Sequence, residues 1–260
     1  MSALILATAC GLGLGGILGL LGGGGGLIAV PLFAAVFGWS IDQSGTASLV
    51  CVLIGSAVAV LTHVRTGRLR IRESVVFGLT GTAAAVIGSL TAFAIPDVIQ
   101  HAVLASLLVV AGILMLAKAR RLRHGVAGDV TAADGQRPIR LASVAAALGI
   151  GFIVGVIGIS GGFLTVPAFT ALLGMAVPQA SASALIVVMM NSAAALAARA
   201  SRIDTGQVIA ILAGSTAIGA VIGARLARRT SPVMLASMFG SLMLAIAAWE
   251  ASRTVLMIGT

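Results

Sequence analysis

The chain has 260 residues, 59% hydrophobic and 9% charged, with a mean hydropathy of +1.16 and a formal net charge of +9. A water-soluble domain carries about 25% charged residues, so this composition cannot cover a soluble surface. The basic excess does not point to nucleic acid, because the cations cluster at the ends of apolar runs: Arg65, Arg68, Arg70 and Arg72 after one, Lys118, Arg120, Arg121 and Arg123 after another. Such clusters are topology signals and contacts for lipid headgroups.

No Asp, Glu, Lys or Arg occurs from Met1 to Ile41 or from Leu141 to Ala198. A bilayer span needs about 20 apolar residues, and only helices or closed barrels satisfy the backbone in lipid. The runs here are continuous rather than alternating, which excludes a barrel and predicts an all-α integral membrane protein. Met1-Ser2-Ala3 has no basic n-region, so the first apolar segment is expected to remain as structure. Residues 3–38 form one apolar stretch interrupted at Gly22–Gly26, and spans follow at about 43–62, 74–95 and 98–117. A hydrophilic linker runs from Lys118 to Arg140. The second part repeats the plan, with an apolar stretch at 141–174 and spans at about 178–198, 205–224 and 232–250. The domain reading is therefore an N-terminal repeat over 1–117, a cytoplasmic linker over 118–140 and a C-terminal repeat over 141–260.

The halves align without a gap across their glycine clusters. Gly19, Gly22, Gly25, Gly26, Val30, Pro31 and Phe33 recur as Gly155, Gly158, Gly161, Gly162, Val166, Pro167 and Phe169. Gly38 pairs with Gly174, and Val86-Ile87-Gly88 answers Val221-Ile222-Gly223. Duplicated halves are typical of secondary transporters, whose sites lie at the repeat interface.

Charge leaves two topologies open. With four crossings per half, about eight in all, the halves are parallel and Arg225, Arg228 and Arg229 fall outside. With five crossings per half the repeats are inverted; those arginines then lie inside, and Arg199 and Arg202 outside. The expectation adopted is eight spans, with each Gly/Pro segment broken or re-entrant; ten crossings in inverted repeats is the alternative.

Glycine in a helix interior costs about 1 kcal/mol relative to Ala, and Pro31 and Pro167 each remove a donor. Non-helical backbone at membrane depth survives only where it is buried or lines a wet cavity. Free N–H groups at a break, with the positive end of the next helix, suit an anion. The candidate substrate-binding residues are Gly24, Gly25, Gly26, Ser48, Ser160, Gly161, Gly162, Thr165, Ser183 and Asn191, with Arg225 or Arg199 as cations at the mouth. Gly15, Gly55 and Gly88 read as packing positions, and leucine at Gly25 or Gly161 is expected to harm transport more than leucine at Gly88. His63 and His101 read as interfacial. Cys10 and Cys51 read as small packing residues with no metal or disulfide spacing. No metal, cofactor or catalytic residue is expected. The partners expected are a small anion and membrane lipids, not nucleic acid; self-association is left open.

Gly158-Ile159-Ser160-Gly161 matches the G-x-S-G of rhomboid-type intramembrane serine proteases. A serine nucleophile needs a base within reach, yet no histidine follows His124, and the first half places Gly24 where Ser160 stands. A hydrolase using Ser160 is therefore the second reading, and a channel or non-transporting scaffold the third.

The glycine clusters with Val30-Pro31 and Val166-Pro167, followed by Ala47-Ser48-Leu49 and Ser183-Ala184-Leu185, resemble the sulfite exporter TauE/SafE family. The resemblance covers nearly the whole chain outside the linker. It implies a bacterial inner-membrane transporter of sulfite, sulfonates or related organosulfur anions, generally outward. The missing serine at Gly24 implies unequal contacts from the two halves.

Overall fold

A computed structural model describes residues 2–64, 67, 69–91, 96–124, 141–157, 162–198 and 206–258. Among these there are ten helices and no strand. They are α1 (Ser2–Leu21), α2 (Gly25–Phe37), α3 (Ile41–Val64), α4 (Ile71–Thr91), α5 (Asp97–Arg123), α6 (Leu141–Ile157), α7 (Gly162–Leu172), α8 (Val177–Ala198), α9 (Gln207–Arg229) and α10 (Pro232–Ile258). The chain is a multi-pass membrane protein. Seven helices are long and apolar enough to cross a bilayer, and α6 offers a shorter apolar run at Val144–Val156. At 13 and 11 residues, α2 and α7 reach about 20 and 17 Å, short of a crossing. Eight longer helices and two short broken-segment helices therefore agree with the expected span count. The linker's first residues differ: α5 continues through Lys118 to Arg123, placing that basic cluster in its last turns, where cations favour the carbonyl end. Residues 125–140 lie outside the described residues.

Contacts between glycine-bearing faces fix the helix directions. Along α1 and α9, Gly11 lies against Leu212 and Ser215, Gly15 against Thr216, and Gly19 against Ala220 and Ala224, so the two helices run parallel. Along α4 and α6, Gly81 meets Gly151, Ala85 meets Gly155, and Gly88 meets Phe152 and Val156, again in parallel. These two seams are one contact used twice. Gly223, the counterpart of Gly88, packs on Gly16 and Leu20, the positions that Phe152 and Val156 occupy in the second half. Helix α3 runs with α9, since Cys51 bonds Thr216 and Gly55 meets Thr216 and Ala220. Helix α8 runs with α4: Gly78 faces Val187 and Met190, and Thr82 Oγ1 donates to Asn191 Oδ1 at 2.6 Å. Helices α3 and α4 are joined by residues 65–70, too few to recross a bilayer. Thus α1, α3 and α9 point one way and α4, α6 and α8 the other, and the halves are inverted rather than parallel.

The physical reason is the fold-back of α2. After α1 the chain reverses, so that Gly25 lies beside Leu14 and Leu18, and α3 starts again from the side where α1 began. Gly38 and Gly174 end α2 and α7 in the same left-handed conformation, φ 66° in both. The inversion also gathers charge. The ends of α5 and α9 and the start of α4 share one face, bringing Arg70, Arg72, Lys118, Arg120, Arg121, Arg123, Arg225, Arg228 and Arg229 to it.

The packing reading of Gly15, Gly55 and Gly88 agrees with these contacts, but packing does not make Gly88 tolerant. A Cβ there would enter the Phe152 carbonyl, whereas at Gly25 the nearest atom would stand at 3.2 Å, so a side chain at Gly88 disturbs the packing more. Gly15→Ala and Gly88→Ala should each destabilise by on the order of 3 kcal/mol through overpacking. Gly13→Ala and Gly214→Ala, where a Cβ meets nothing within 4 Å, should be neutral or stabilise by up to about 1 kcal/mol. Thermal unfolding in detergent checks the opposite signs.

Candidate functional site

The first break lies at the contact between the halves. Helix α1 stops at Leu21, and Gly22 takes φ 79°, with its N–H donating to Leu18 O at 2.8 Å. A side chain at Gly22 would be strained by that φ and would also strike the backbone of Ser181 on α8. A Cβ at Gly23 would lie 2.5 Å from the carbonyl oxygen of Gly162, the first described residue of α7, and one at Gly24 would lie 3.3 Å from Leu242 Cδ2. Gly162 is itself wedged between Gly23 and Val188. The starts of α2 and α7 therefore meet, one from each half.

Residues 21–27 are all buried, and the α2 N-cap, Gly24, makes no side-chain capping bond. A helix start leaves four N–H groups without helical partners, and each helix carries about half a positive charge there. Two such ends in contact repel each other unless negative charge lies between them. The prolines sit within the short helices, not at the turn. There they deprive the carbonyls of Leu27 and Phe163 of their usual i+4 donors.

Side chains add one donor that fits. Ser181 is buried, its hydroxyl has no hydrogen-bond partner among the described residues, and its backbone abuts Gly22. An unsatisfied buried hydroxyl costs about 1–3 kcal/mol, which a ligand oxygen would remove. The hydroxyls of Ser44 on α3 and Ser192 on α8 are orphaned likewise.

Among the sequence candidates, the structure brings together Gly24, Gly25, Gly26 and Gly162. Thr165 is buried one turn into α7, and Ser183 is buried two residues beyond Ser181, accepting a bond from the Arg70 N–H at 3.0 Å. Ser48 is buried on α3. Asn191 is not part of the junction: it stands about 15 Å along α8 from Ser181 and is tied to Thr82 as a strut to α4. Ser160 and Gly161 lie outside the described residues, as does Arg199; Arg225 is exposed. In sequence Ser181 stands beside Ser183 among the hydroxyls that follow the second break, with nothing to rank it above them. The signal available for it was the repeat register, which sets it opposite Gly45, beside the conspicuous Ser44.

One buried ionisable side chain departs from expectation. His63 is buried rather than interfacial, with Nδ1 2.8 Å from Ala59 O. Glu250, on α10, is buried as well. They lie near opposite faces of the bundle and form no relay with each other. No group of His, Cys, Asp or Glu among the described residues could hold a metal ion.

Comparison with known proteins agrees with this architecture. The sequence model of the family described as sulfite exporter TauE/SafE matches residues 7–249. A probable membrane transporter protein of Xylella fastidiosa strain Temecula1 is 32% identical over 192 residues, covering 72% of this chain and 70% of the relative. Another from strain 9a5c is 31% identical over 191 residues, covering 72% and 70%. The probable membrane transporter protein ORF9 of a Sinorhizobium species is 29% identical over 167 residues, covering 64% and 61%. No solved structure matches the chain.

Because the Ser181 hydroxyl bonds to nothing among the described residues, Ser181→Ala should leave the unfolding temperature unchanged or raise it, while weakening anion binding. Thermal unfolding with and without added sulfite separates the two effects. A ligand-induced rise retained in full in the variant would remove Ser181 from the site.

Proposed function

We propose that this chain, which belongs to the sulfite exporter TauE/SafE family of membrane transporters, carries a small organosulfur oxyanion such as sulfite or a sulfonate. Its place is the inner membrane of a bacterium, and its direction is outward. The observation that carries this reading is the meeting of two buried helix starts, α2 and α7, beside the orphaned hydroxyl of Ser181. Backbone N–H groups and a hydroxyl offer donors to oxyanion oxygens without a buried fixed cation that would hold the ion too tightly to release.

The basic face is cytoplasmic in this reading, because cations near span ends resist translocation. The linker then lies inside with α3–α4 and α9–α10, and residues 199–205 lie outside. The junction is too closely packed for a side chain at Gly22, Gly23 or Gly162. Access therefore requires the halves to move relative to each other, as in alternating access by inverted repeats. Lipids surround the apolar helix faces, the chain performs no chemistry on its substrate, and no cofactor takes part.

Purified protein in liposomes should give saturable, protein-dependent counterflow of radiolabelled sulfite or sulfoacetate, each competing with the other. Ser160→Ala should lower the rate only partly, since backbone donors remain. Absence of flux for both anions with correctly folded protein would overturn the reading. Proteolysis by the wild type that is lost in Ser160→Ala would replace it with the hydrolase.

A further inference from the structure

The α3–α4 connection reaches deeper than a surface loop. The Arg70 N–H donates to Ser183 Oγ at 3.0 Å, and Ser183 is fully buried. Helix α8 begins at Val177 on the basic face, so Ser183 lies about 3 Å of helix rise further into the bundle than Ser181. The same residue is held from its other side, because Ser74 donates to Arg70 O through its hydroxyl at 2.7 Å and through its N–H at 3.0 Å. Arg70 is thus fixed at the depth of the orphaned Ser181 hydroxyl, on the same helix that abuts Gly22.

Its side chain is half-buried and, among the described residues, forms no ion pair. The other cations of this face differ. Arg72, Arg120, Arg121, Arg123, Arg225, Arg228 and Arg229 are exposed, where solvent and salt screen them, and Lys118, half-buried like Arg70, lies within the last turns of α5 rather than in a loop held against α8. A half-buried guanidinium is less screened than an exposed one, and its planar fork suits an oxyanion. The second half has no counterpart: the residues preceding α9 are Thr205 and Gly206, whereas Arg70 precedes α4. At this register the cation is present in the first half only.

We propose that Arg70 is the substrate-recruiting residue of the basic mouth, an oxyanion-binding cation that the loop's bond to Ser183 holds level with the glycine junction. The proposal rests on the anion-transport reading. It makes the junction asymmetric, with charge-assisted capture on the basic face and only dipoles and hydroxyls beyond it.

The test is zero-trans flux of radiolabelled sulfite, or sulfoacetate if the wild type carries only that, with variants matched for folded protein. Arg70→Gln should raise KM about tenfold, equivalent to about 1.4 kcal/mol, with little change in maximal rate. Arg70→Lys should recover part of the loss. Arg72→Gln, two residues on and exposed, should keep the wild-type KM. Ser183→Ala, which releases the loop, should raise KM in the same sense as Arg70→Gln. Wild-type KM in Arg70→Gln, with flux still weakened by Ser181→Ala, would overturn this inference and leave the junction standing. A fall in maximal rate alone, equal in Arg70→Gln and Arg70→Lys, would also overturn it by showing a structural role. No flux in the wild type would instead strike the transport reading itself.

Discussion

A bilayer gives an exposed peptide group no water to bond, so a helix can be interrupted at depth only where protein covers the interruption. Everything distinctive in this fold follows from meeting that constraint twice. Two glycine breaks, one per half, are placed against each other, with Gly23 on Gly162 and Gly22 on α8. Such an approach is possible only if the surrounding helices come within backbone contact. The two seams of small residues, α1 on α9 and α4 on α6, provide that closeness. Each seam joins a helix of one half to a helix of the other, so the halves are interlocked rather than side by side.

The same geometry gives the junction its chemistry. Interrupting a helix frees N–H groups, and starting a new one adds partial positive charge. The short helices α2 and α7 bring both to one place, and Ser181 contributes a hydroxyl that has no partner among the described residues. A membrane transporter that must release its cargo gains from donors of this kind, which bind an anion without a permanent counter-charge at the centre. Most of the fixed charge gathers on one face, where the Arg70 N–H bonds Ser183 of α8 and draws its loop inward.

Much of this was readable in the sequence because glycine and proline in a lipid environment carry a recognisable cost. The Gly22–Gly26 run and its echo at 158–162 marked the breaks, and the Val-Pro-x-Phe anchors marked the duplication. Helix direction was not readable. Residues 3–38 are apolar throughout, and hydropathy does not distinguish one broken span from a span with a short helix folded back on it. The arginines at 225, 228 and 229 carried the answer, but Arg199 and Arg202 argued against it. Which hydroxyls are left over depends on long-range packing. Ser183 and Asn191 looked equal to Ser181 in sequence, yet one holds a loop and the other a neighbouring helix. Gly88 read as a packing position, but nothing in its own segment shows that Phe152 lies against it.

The inverted arrangement is the claim on which the junction, its charge asymmetry and the transport reading all depend. It is tested most directly by single-cysteine labelling in cells, using Asp129→Cys or Ser201→Cys in a variant lacking Cys10 and Cys51, with a membrane-impermeant thiol reagent. Inverted halves predict opposite outcomes: position 201 labelled in intact cells, and position 129 labelled only after the membrane is opened. Labelling of both positions from the same side would contradict the inversion, and with it the meeting of the two breaks.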